Sequence, residues 1–291
     1  MKINYQEANS SILCKLTDTA IITFMKKNIV ITGSTRGIGF AIADALLELG
    51  CAVTISGRTQ KAVDEASAKL AEKHGKDRIS GHPCDVTNLE QVQSLWDSAT
   101  SHFKTVDIWV NNAGIGNATQ ALWEIPMETY RDILNTNVIG TVHGVKVAIK
   151  GMVEQGHGQI YNMEGYGSSP KRIQFGINAY GLSKAAITFF SKALVQETKD
   201  YPVQVGTILP GMVMTDLILK NLDRNPENLE EIRPIFNVFG ELPENIGSFV
   251  AREILKNKKS GATIKYLTMS KILSNFIAFR FKKRDIFADL F

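Results

Sequence analysis

Cysteines, long apolar runs and a concentrated charge are all scarce in this sequence. Its three cysteines, Cys14, Cys51 and Cys84, form no CxxC pair, so neither a disulfide framework nor a metal site is expected and a reducing compartment is favoured. No apolar run reaches the roughly 18 residues that a membrane span needs. The net charge of +4 is scattered, which argues against nucleic acid as a partner. We therefore expect a cytoplasmic protein.

Apolar residues make up 44% of the chain, enough for a large core. We expect an N-terminal extension at 1–25, one main domain at 26–267 and a basic tail at 268–291. In the main domain, β-branched runs alternate with helical patterns. The predicted strands are 28–32, 52–56, 79–83, 106–111, 159–162, 203–209 and 263–267. This alternation predicts an α/β fold, a doubly wound parallel sheet of the Rossmann type in three αβα layers.

A glycine-rich loop follows the first predicted strand and opens a helix at 37–49. Gly33 permits a tight turn, Gly37 lets the backbone approach a pyrophosphate, and Gly39 allows the helix to press against the sheet. The free N–H groups of the helix start favour phosphate. A plain glycine turn is the alternative interpretation. The candidate cofactor-binding residues of the loop are Gly33, Ser34, Thr35, Arg36, Gly37, Ile38 and Gly39.

The second predicted strand, 52–56, is followed by Gly57 and Arg58, and no carboxylate is present there. Folds that bind NAD usually have an acidic residue here, which holds the 2′-hydroxyl. Arg58, helped by Arg36, suits the 2′-phosphate of NADP instead, because a guanidinium forms charge-assisted hydrogen bonds with phosphate. NADP(H) is therefore the expected cofactor. The alternative is an NAD-linked enzyme in which Arg58 is a solvated turn residue.

Further motifs follow in order: Asp85, Asn111-Asn112-Ala113-Gly114, Asn137, Tyr180-x3-Lys184 and Pro210-Gly211-x3-Thr215. Together with the glycine loop, they resemble the short-chain dehydrogenase/reductase superfamily from about residue 26 to about residue 267. The resemblance implies one Rossmann-type domain, a homodimer or homotetramer, and a nicotinamide cofactor over the carboxyl ends of the strands. The cofactor contacts that it implies outside the loop are Asp85, Val86, Asn112, Ala113, Gly114, Tyr180, Lys184, Pro210, Gly211, Val213 and Thr215.

A narrower likeness is carried by Asn162-Met163-Glu164-Gly165, ahead of the tyrosine motif. It resembles the chlorophyll b reductase branch of the superfamily, where an Asn-Met-acidic-Gly sequence stands at this place. The aromatic, basic tail is similar to that branch as well. Members of the branch need not act on chlorophyll, so this likeness does not name a substrate.

Tyr180 and Lys184 are four residues apart and share one face of a helix. A free phenol has a pKa of about 10, and a neighbouring ammonium lowers it. We expect Tyr180 to give a proton to a carbonyl oxygen while hydride reaches the carbon. By resemblance, Lys184 also holds the nicotinamide ribose, and Asn137 bends its helix and anchors a water in a proton relay.

One position departs from the family pattern. The family has a serine about 13 residues before the tyrosine, whereas the aligned residue here is Gly165. Ser168 is the candidate replacement and completes the expected catalytic set of Tyr180, Lys184, Asn137 and Ser168. Glu164, a backbone N–H or a water are the alternatives, although Glu164 is expected to be solvated or to cap a helix. The missing serine also motivates an alternative function, an NADP(H)-binding regulator without turnover.

Residues 212–242 interrupt the alternation and are expected to form a lid. The apolar residues of this lid predict a small apolar carbonyl or alcohol substrate. They are Met212, Val213, Met214, Leu217, Ile218, Leu219, Ile235, Phe236, Val238 and Phe239. The tail at 268–291 has two interpretations. It is either a basic amphipathic helix in peripheral contact with a membrane, or a helix that packs on the domain with its basic face solvated.

Overall fold

The computed structural model describes residues 27–169, 175–215, 228–282 and 285–287. The predicted extension at 1–25 lies outside the described residues. So do Cys14, Lys283, Arg284 and the lid residues Leu217, Ile218 and Leu219.

Strands and helices alternate along the described chain. The strands are β1 (Asn28–Ile31), β2 (Ala52–Gly57), β3 (Ile79–Pro83), β4 (Ile108–Asn111), β5 (Gly158–Met163), β6 (Val203–Leu209), β7 (Met212–Val213), β8 (Gly240–Glu241) and β9 (Thr263–Lys265). The α-helices are α1 (Gly37–Glu48), α2 (Gln60–His74), α3 (Leu89–Phe103), α4 (Met127–Leu134), α5 (Gly140–Gln155), α6 (Asn178–Glu197), α7 (Asn228–Phe239), α8 (Pro243–Lys256) and α9 (Met269–Lys282). A 3-10 turn covers Leu122–Glu124, and a π turn covers Asn135–Ile139.

Seven strands form one parallel sheet in the order β3-β2-β1-β4-β5-β6-β9. The chain moves outward from β1 to β3, returns to the centre at β4 and continues to the other edge. The predicted doubly wound fold is therefore confirmed. Since the order reverses between β1 and β4, the loops after these two strands face each other across a crevice, where such folds bind ligands.

The sheet is covered on both faces because its side chains alternate. In β1, Ile29 and Ile31 join a core with α1, α2 and α8, whereas Val30 joins a core with α3, α5 and α6. On the first face, α1 and α8 cross closely: a Cβ on Gly247 would meet the backbone of Ala41. These two cores hold the carboxyl ends of the strands in place.

The predicted lid has regular structure where it is described. β7 and β8 pair in parallel, and α7 lies between them in the sequence with Pro234 inside the helix. The buried carboxylate of Glu241 fixes this two-stranded parallel base of the lid, since it accepts hydrogen bonds from the Tyr266 hydroxyl at 2.7 Å and the Asn245 amide at 2.9 Å.

The tail continues as α9 and packs on α7. Asn275 donates a hydrogen bond to the Val238 carbonyl at 3.0 Å. Beyond α9, Asp285 forms an ion pair with Arg233 at 2.7 Å, and Phe287 packs its ring edge-on to Phe236. In the described part of the chain, no helix has the length and apolar character to cross a membrane.

Candidate active site

The glycine loop lies at the carboxyl end of β1, between that strand and α1. Gly33 and Gly37 have positive φ angles of 61° and 59°. A Cβ on Gly39 would lie 2.8 Å from the Gly33 carbonyl oxygen, so only glycine lets α1 start this close to the loop. Gly33 and Gly39 therefore have the turn and the close helix approach that the spacing predicts, and Gly37 has a positive φ as well.

The glycine loop and the segment 210–215 lie next to each other at the start of α1. A Cβ on Gly37 would be 3.8 Å from a methyl carbon of Thr215, an ordinary van der Waals distance. The turn of this segment has Gly211 at a φ of 84°. The helix N-terminus beside them carries the free N–H groups that favour phosphate. Within the segment, Val213 is buried in the core.

Asn112 joins the loop after β4 to the glycine loop. Its side-chain amide donates to the carbonyls of Thr32 and Gly33, both at 2.9 Å. The Thr32 hydroxyl accepts the backbone N–H groups of Asn112 and Ala113 at 3.0 and 3.1 Å. These four hydrogen bonds connect the loop after β4 to the glycine loop after β1.

Ser34 and Thr35 of the glycine loop pack against the protein, whereas Arg36 is exposed to solvent. The Ser34 side chain is buried; it donates to the Ile31 carbonyl at 2.6 Å and accepts the Ser56 N–H at 2.9 Å. The hydroxyl therefore ties β1 to β2 and does not face the crevice. Thr35 lies against Gly57, where a Cβ would come within 2.6 Å of its methyl carbon. Arg36, just ahead of α1, and Arg58, just after β2, are exposed.

Asp85 follows β3 on the adenosine side that the resemblance assigns to it. Its carboxylate accepts the backbone N–H and the hydroxyl of Thr87 at 2.9 and 2.8 Å, which forms a local turn. Val86 is buried, and its carbonyl contacts a ring nitrogen of His143 at 2.9 Å. A Cβ on Gly140 would lie 2.5 Å from a methyl of Val86, so α5 presses directly on this segment.

Tyr180 and Lys184 lie on successive turns of α6, as the spacing predicts. The Lys184 ammonium is 5.6 Å from the centre of the Tyr180 ring and donates to the Met163 carbonyl at 2.9 Å. Met163 is the last residue of β5, so this bond fastens the lysine to the carboxyl end of a central strand. The structure brings the two predicted residues together at the edge of the sheet where the crevice opens.

Burial sets the proton affinity of both groups. It raises the pKa of Tyr180 to about 12, above that of a free phenol. The direction is opposite to the lowered phenol pKa that the sequence led us to expect, and its cause is desolvation. Burial also lowers the pKa of Lys184 to about 8, against the opposing charge of Glu164. At neutral pH the phenol is protonated and the lysine is charged.

Asn137 stands in a π turn between α4 and α5 and is buried. Its side chain accepts the Ile115 N–H at 2.8 Å and donates to the Ile115 carbonyl and the Ser183 hydroxyl, both at 2.9 Å. The wider turn matches the local bend that the resemblance implies. Because Ser183 precedes Lys184 and Ile115 follows the Asn111–Gly114 motif, one amide links both parts of the site.

Gly165 occupies the position of the family serine and lies against Tyr180. A Cβ here would be 2.5 Å from the Tyr180 hydroxyl oxygen and 3.4 Å from a carbon of Lys184. Ser168, the predicted replacement, is engaged elsewhere: its hydroxyl accepts the Gly165 N–H at 3.2 Å and approaches the Lys184 carbonyl at 3.5 Å. It holds the 165–168 turn on α6, and its use as a carbonyl donor would require these bonds to open.

Glu164 does not have the solvated or helix-capping position that we expected. It is buried, and its side chain forms hydrogen bonds with Thr188 on α6 and Thr207 on β6. Burial raises its pKa in spite of these bonds and of the nearby Lys192 and Lys184. Its carboxylate is engaged by these two threonines, of which Thr188 lies one turn of α6 beyond Lys184.

Two glycines of this region were missed by the sequence-based reasoning. Gly167 has a φ of 100°, and a Cβ on it would lie 2.5 Å from the Cα of Gly181. The 165–168 turn therefore rests directly on the backbone of α6, one residue after Tyr180. The Gly-x-Gly spacing around Tyr166 was the available signal, but its partner lies on another element.

Comparisons with known proteins agree with this geometry. Residues 27–225 match the family model described as short chain dehydrogenase. The chain belongs to the short-chain dehydrogenase/reductase family. This is a family of oxidoreductases that use NAD(H) or NADP(H).

Two relatives support the narrower branch. The chain is 31% identical over 263 residues to the probable chlorophyll(ide) b reductase NYC1, chloroplastic, of Arabidopsis thaliana, with 85% of the chain and 52% of that protein covered. It is 30% identical to the chlorophyll(ide) b reductase NOL, chloroplastic, of Oryza sativa subsp. japonica, with 86% and 74% covered. The chain thus spans about half the length of the first relative. It belongs to the chlorophyll b reductase-like branch, as its motifs indicate.

A solved structure supports the fold. The crystal structure of a short-chain type dehydrogenase/reductase from Mycobacterium marinum superposes with a TM-score of 0.74 at 26% identity. The match covers 84% of this chain and 96% of that one. The Rossmann-type architecture is therefore shared over nearly the whole neighbouring chain.

Proposed function

We propose that this protein is an NADPH-dependent reductase of a carbonyl group on an apolar substrate, with Tyr180 as the proton donor. One observation carries the proposal: the Lys184 ammonium lies 5.6 Å from the centre of the Tyr180 ring and is fastened to the carboxyl end of β5 by its hydrogen bond to the Met163 carbonyl. This geometry puts a phenol and a cation together where the phenol can give its proton to a carbonyl oxygen. The raised pKa of Tyr180 keeps the phenol protonated before the reaction, as reduction requires.

When bound, the nicotinamide supplies the hydride for the carbonyl carbon. As the C=O electron pair moves onto oxygen, Tyr180 transfers its proton to that oxygen and becomes a phenolate. The Lys184 ammonium stabilises the phenolate, and a proton from solvent restores the phenol. Asn137 holds the loop after β4 and the residue before Lys184 in a fixed relation, so it is a positioning residue in this scheme.

The preference for NADPH rests on the loops at the adenosine end of the crevice. Arg58 follows β2 where NAD folds place a carboxylate, and Arg36 stands ahead of α1. Both side chains are exposed at the surface that would meet a 2′-phosphate. Two guanidinium groups there would bind NADP(H) more tightly than NAD(H).

The apolar substrate is supported by the relatives. The lid gives no such support where it is described, since Met214 and Phe236 pack with Ile286 and Phe287 of the tail in a small apolar core. Two relatives are named for reduction of chlorophyll(ide) b, a large ring compound. We further propose a homodimer or homotetramer, in keeping with the family, in a reducing compartment such as the cytoplasm, in keeping with the scarcity of cysteines; the two relatives named above are chloroplastic.

NADPH consumption against a panel of apolar ketones and aldehydes tests the proposal. We expect turnover in the wild type and a loss of at least about a hundredfold in Tyr180→Phe, which keeps the ring but removes the proton. Tyr201→Phe, at an exposed tyrosine, is the matched control and should keep full activity.

The missing serine at Gly165 favours a second candidate, an NADP(H)-binding regulator. If NADPH binds but no substrate in the panel is reduced, and Tyr180→Phe behaves as the wild type, the reductase proposal is overturned and the regulator is favoured.

A further inference from the structure

Helix α9 turns its apolar side toward solvent. Phe276 and Phe281 are 57% and 80% exposed, although aromatic side chains normally lie inside. Residues three and four apart share a helix face, so the exposed apolar residues form one continuous strip. They are Met269, Leu273, Phe276, Ile277 and Phe281.

The inward side of α9 holds two polar residues with specific contacts, beside the partly buried Ile272 and Phe279. The Lys271 ammonium lies 4.1 Å from the centre of the Tyr266 ring and 4.0 Å from a carboxylate oxygen of the buried Glu241. Asn275 donates to the Val238 carbonyl on α7. These contacts fix the rotation of the helix about its axis. A rotation of the helix that turned Phe276 and Phe281 inward would break all three contacts. The outward position of the apolar strip is therefore part of the fold.

A cation stands inside the apolar strip. Arg280 is exposed and lies four residues after Phe276 and three after Ile277, between the apolar side chains. Lys282, Lys283 and Arg284 follow in the sequence. A two-fold contact of this face with its own copy would bury Arg280 in an apolar interface, and α9 has no acidic residue that could pair with it, which is unfavourable. Anionic lipid headgroups would instead pair with these cations.

We propose that α9 docks on an anionic lipid surface, lying in the plane of the membrane with its apolar strip among the upper acyl chains. Arg280 contacts the lipid phosphates, and the basic residues that follow it in the sequence add charge of the same sign. Because α9 packs on α7, the docked surface would lie on the lid side of the molecule. The inference stands on the exposed strip and its charge, and does not require turnover.

The test uses the full chain and sedimentation with vesicles. Vesicles of phosphatidylcholine alone are compared with vesicles of phosphatidylcholine mixed with phosphatidylglycerol. We expect binding to the mixed vesicles that weakens with added salt. The double variant Phe276→Ser/Phe281→Ser should lose roughly tenfold in affinity for each phenylalanine removed. Arg280→Glu should weaken binding to the mixed vesicles roughly tenfold or more and leave the neutral ones unaffected.

Phe189→Ser is the matched control, because Phe189 is a 76% exposed phenylalanine on α6. It should bind vesicles as the wild type does. Unchanged thermal unfolding midpoints show that the variants fold. Equal binding of the double variant and the wild type, or no binding by the wild type, overturns the proposal. A lipid-free dimer that the double variant abolishes would identify a second copy as the occupant and overturn it too.

Discussion

The Gly165 backbone and the Tyr180 hydroxyl touch so closely that a side chain between them has no room: a Cβ on Gly165 would be 2.5 Å from the hydroxyl oxygen. Glycine at this family position is thus matched to where the phenol lies. The departure from the family pattern is part of the packing of the site.

Restoring the family residue should therefore harm the enzyme. We expect Gly165→Ser to lower kcat/KM for carbonyl reduction about tenfold or more, because the new side chain displaces the phenol. NADPH affinity, measured by fluorescence titration, should change little. A rise in kcat/KM would show instead that the phenol moves aside and that the serine orients the substrate.

A second prediction concerns the turn that rests on α6. Gly167→Ala places a methyl against the Gly181 backbone and strains a φ of 100°. We expect a fall of about tenfold or more in kcat, with NADPH affinity retained. Gly181→Ala is the matched control, since its Cβ would meet nothing closer than the Gly167 Cα at 3.9 Å. Equal kcat losses in the two variants would contradict the proposed role of the turn.

The reaction should depend on pH through Lys184. Its pKa is lowered to about 8, so the ammonium is lost as the pH rises through that value, and kcat/KM should fall. Glu164→Gln removes the negative charge that raises the Lys184 pKa, so the falling limb should move to lower pH. Glu197→Gln, at an exposed carboxylate on the same helix, should leave the limb in place. If the fall of kcat/KM stays at the same pH or moves to higher pH in Glu164→Gln, Glu164 does not raise the pKa of Lys184.

Cofactor choice can be tested at the end of β2. Arg58→Ala should weaken NADPH binding roughly ten- to a hundredfold, the value of a charge-assisted hydrogen bond, and leave NADH binding unchanged. Arg252→Ala, at an exposed arginine on α8, is the matched control. Isothermal titration with both cofactors gives the comparison. Unaltered NADPH affinity in Arg58→Ala would remove the main support for NADP specificity.

The sequence predicted the sheet and the helices around it because their signals are local. The alternation of Ile29, Val30 and Ile31 and the glycines at 33, 37 and 39 each specify their own conformation. The pairing of Tyr180 with Lys184 follows in the same way from helix spacing.

Features that depend on two distant elements were not predicted. Glu164 is buried only because α6 and β6 enclose it, and Gly167 is constrained only because Gly181 lies beneath it. The pKa of Tyr180 is raised, whereas we expected it to be lowered, since the sequence shows the neighbouring cation but not the desolvation of the phenol. Helix α7 passes through Pro234 in spite of the usual cost, held by packing against the tail.

Helix α7 has one side toward the β7–β8 base and the other toward α9 and Phe287. If α7 shifts when a ligand binds, both environments change together. A ligand in the crevice would then alter the packing of the tail, and a contact made by the tail would alter the affinity for that ligand by the same free energy.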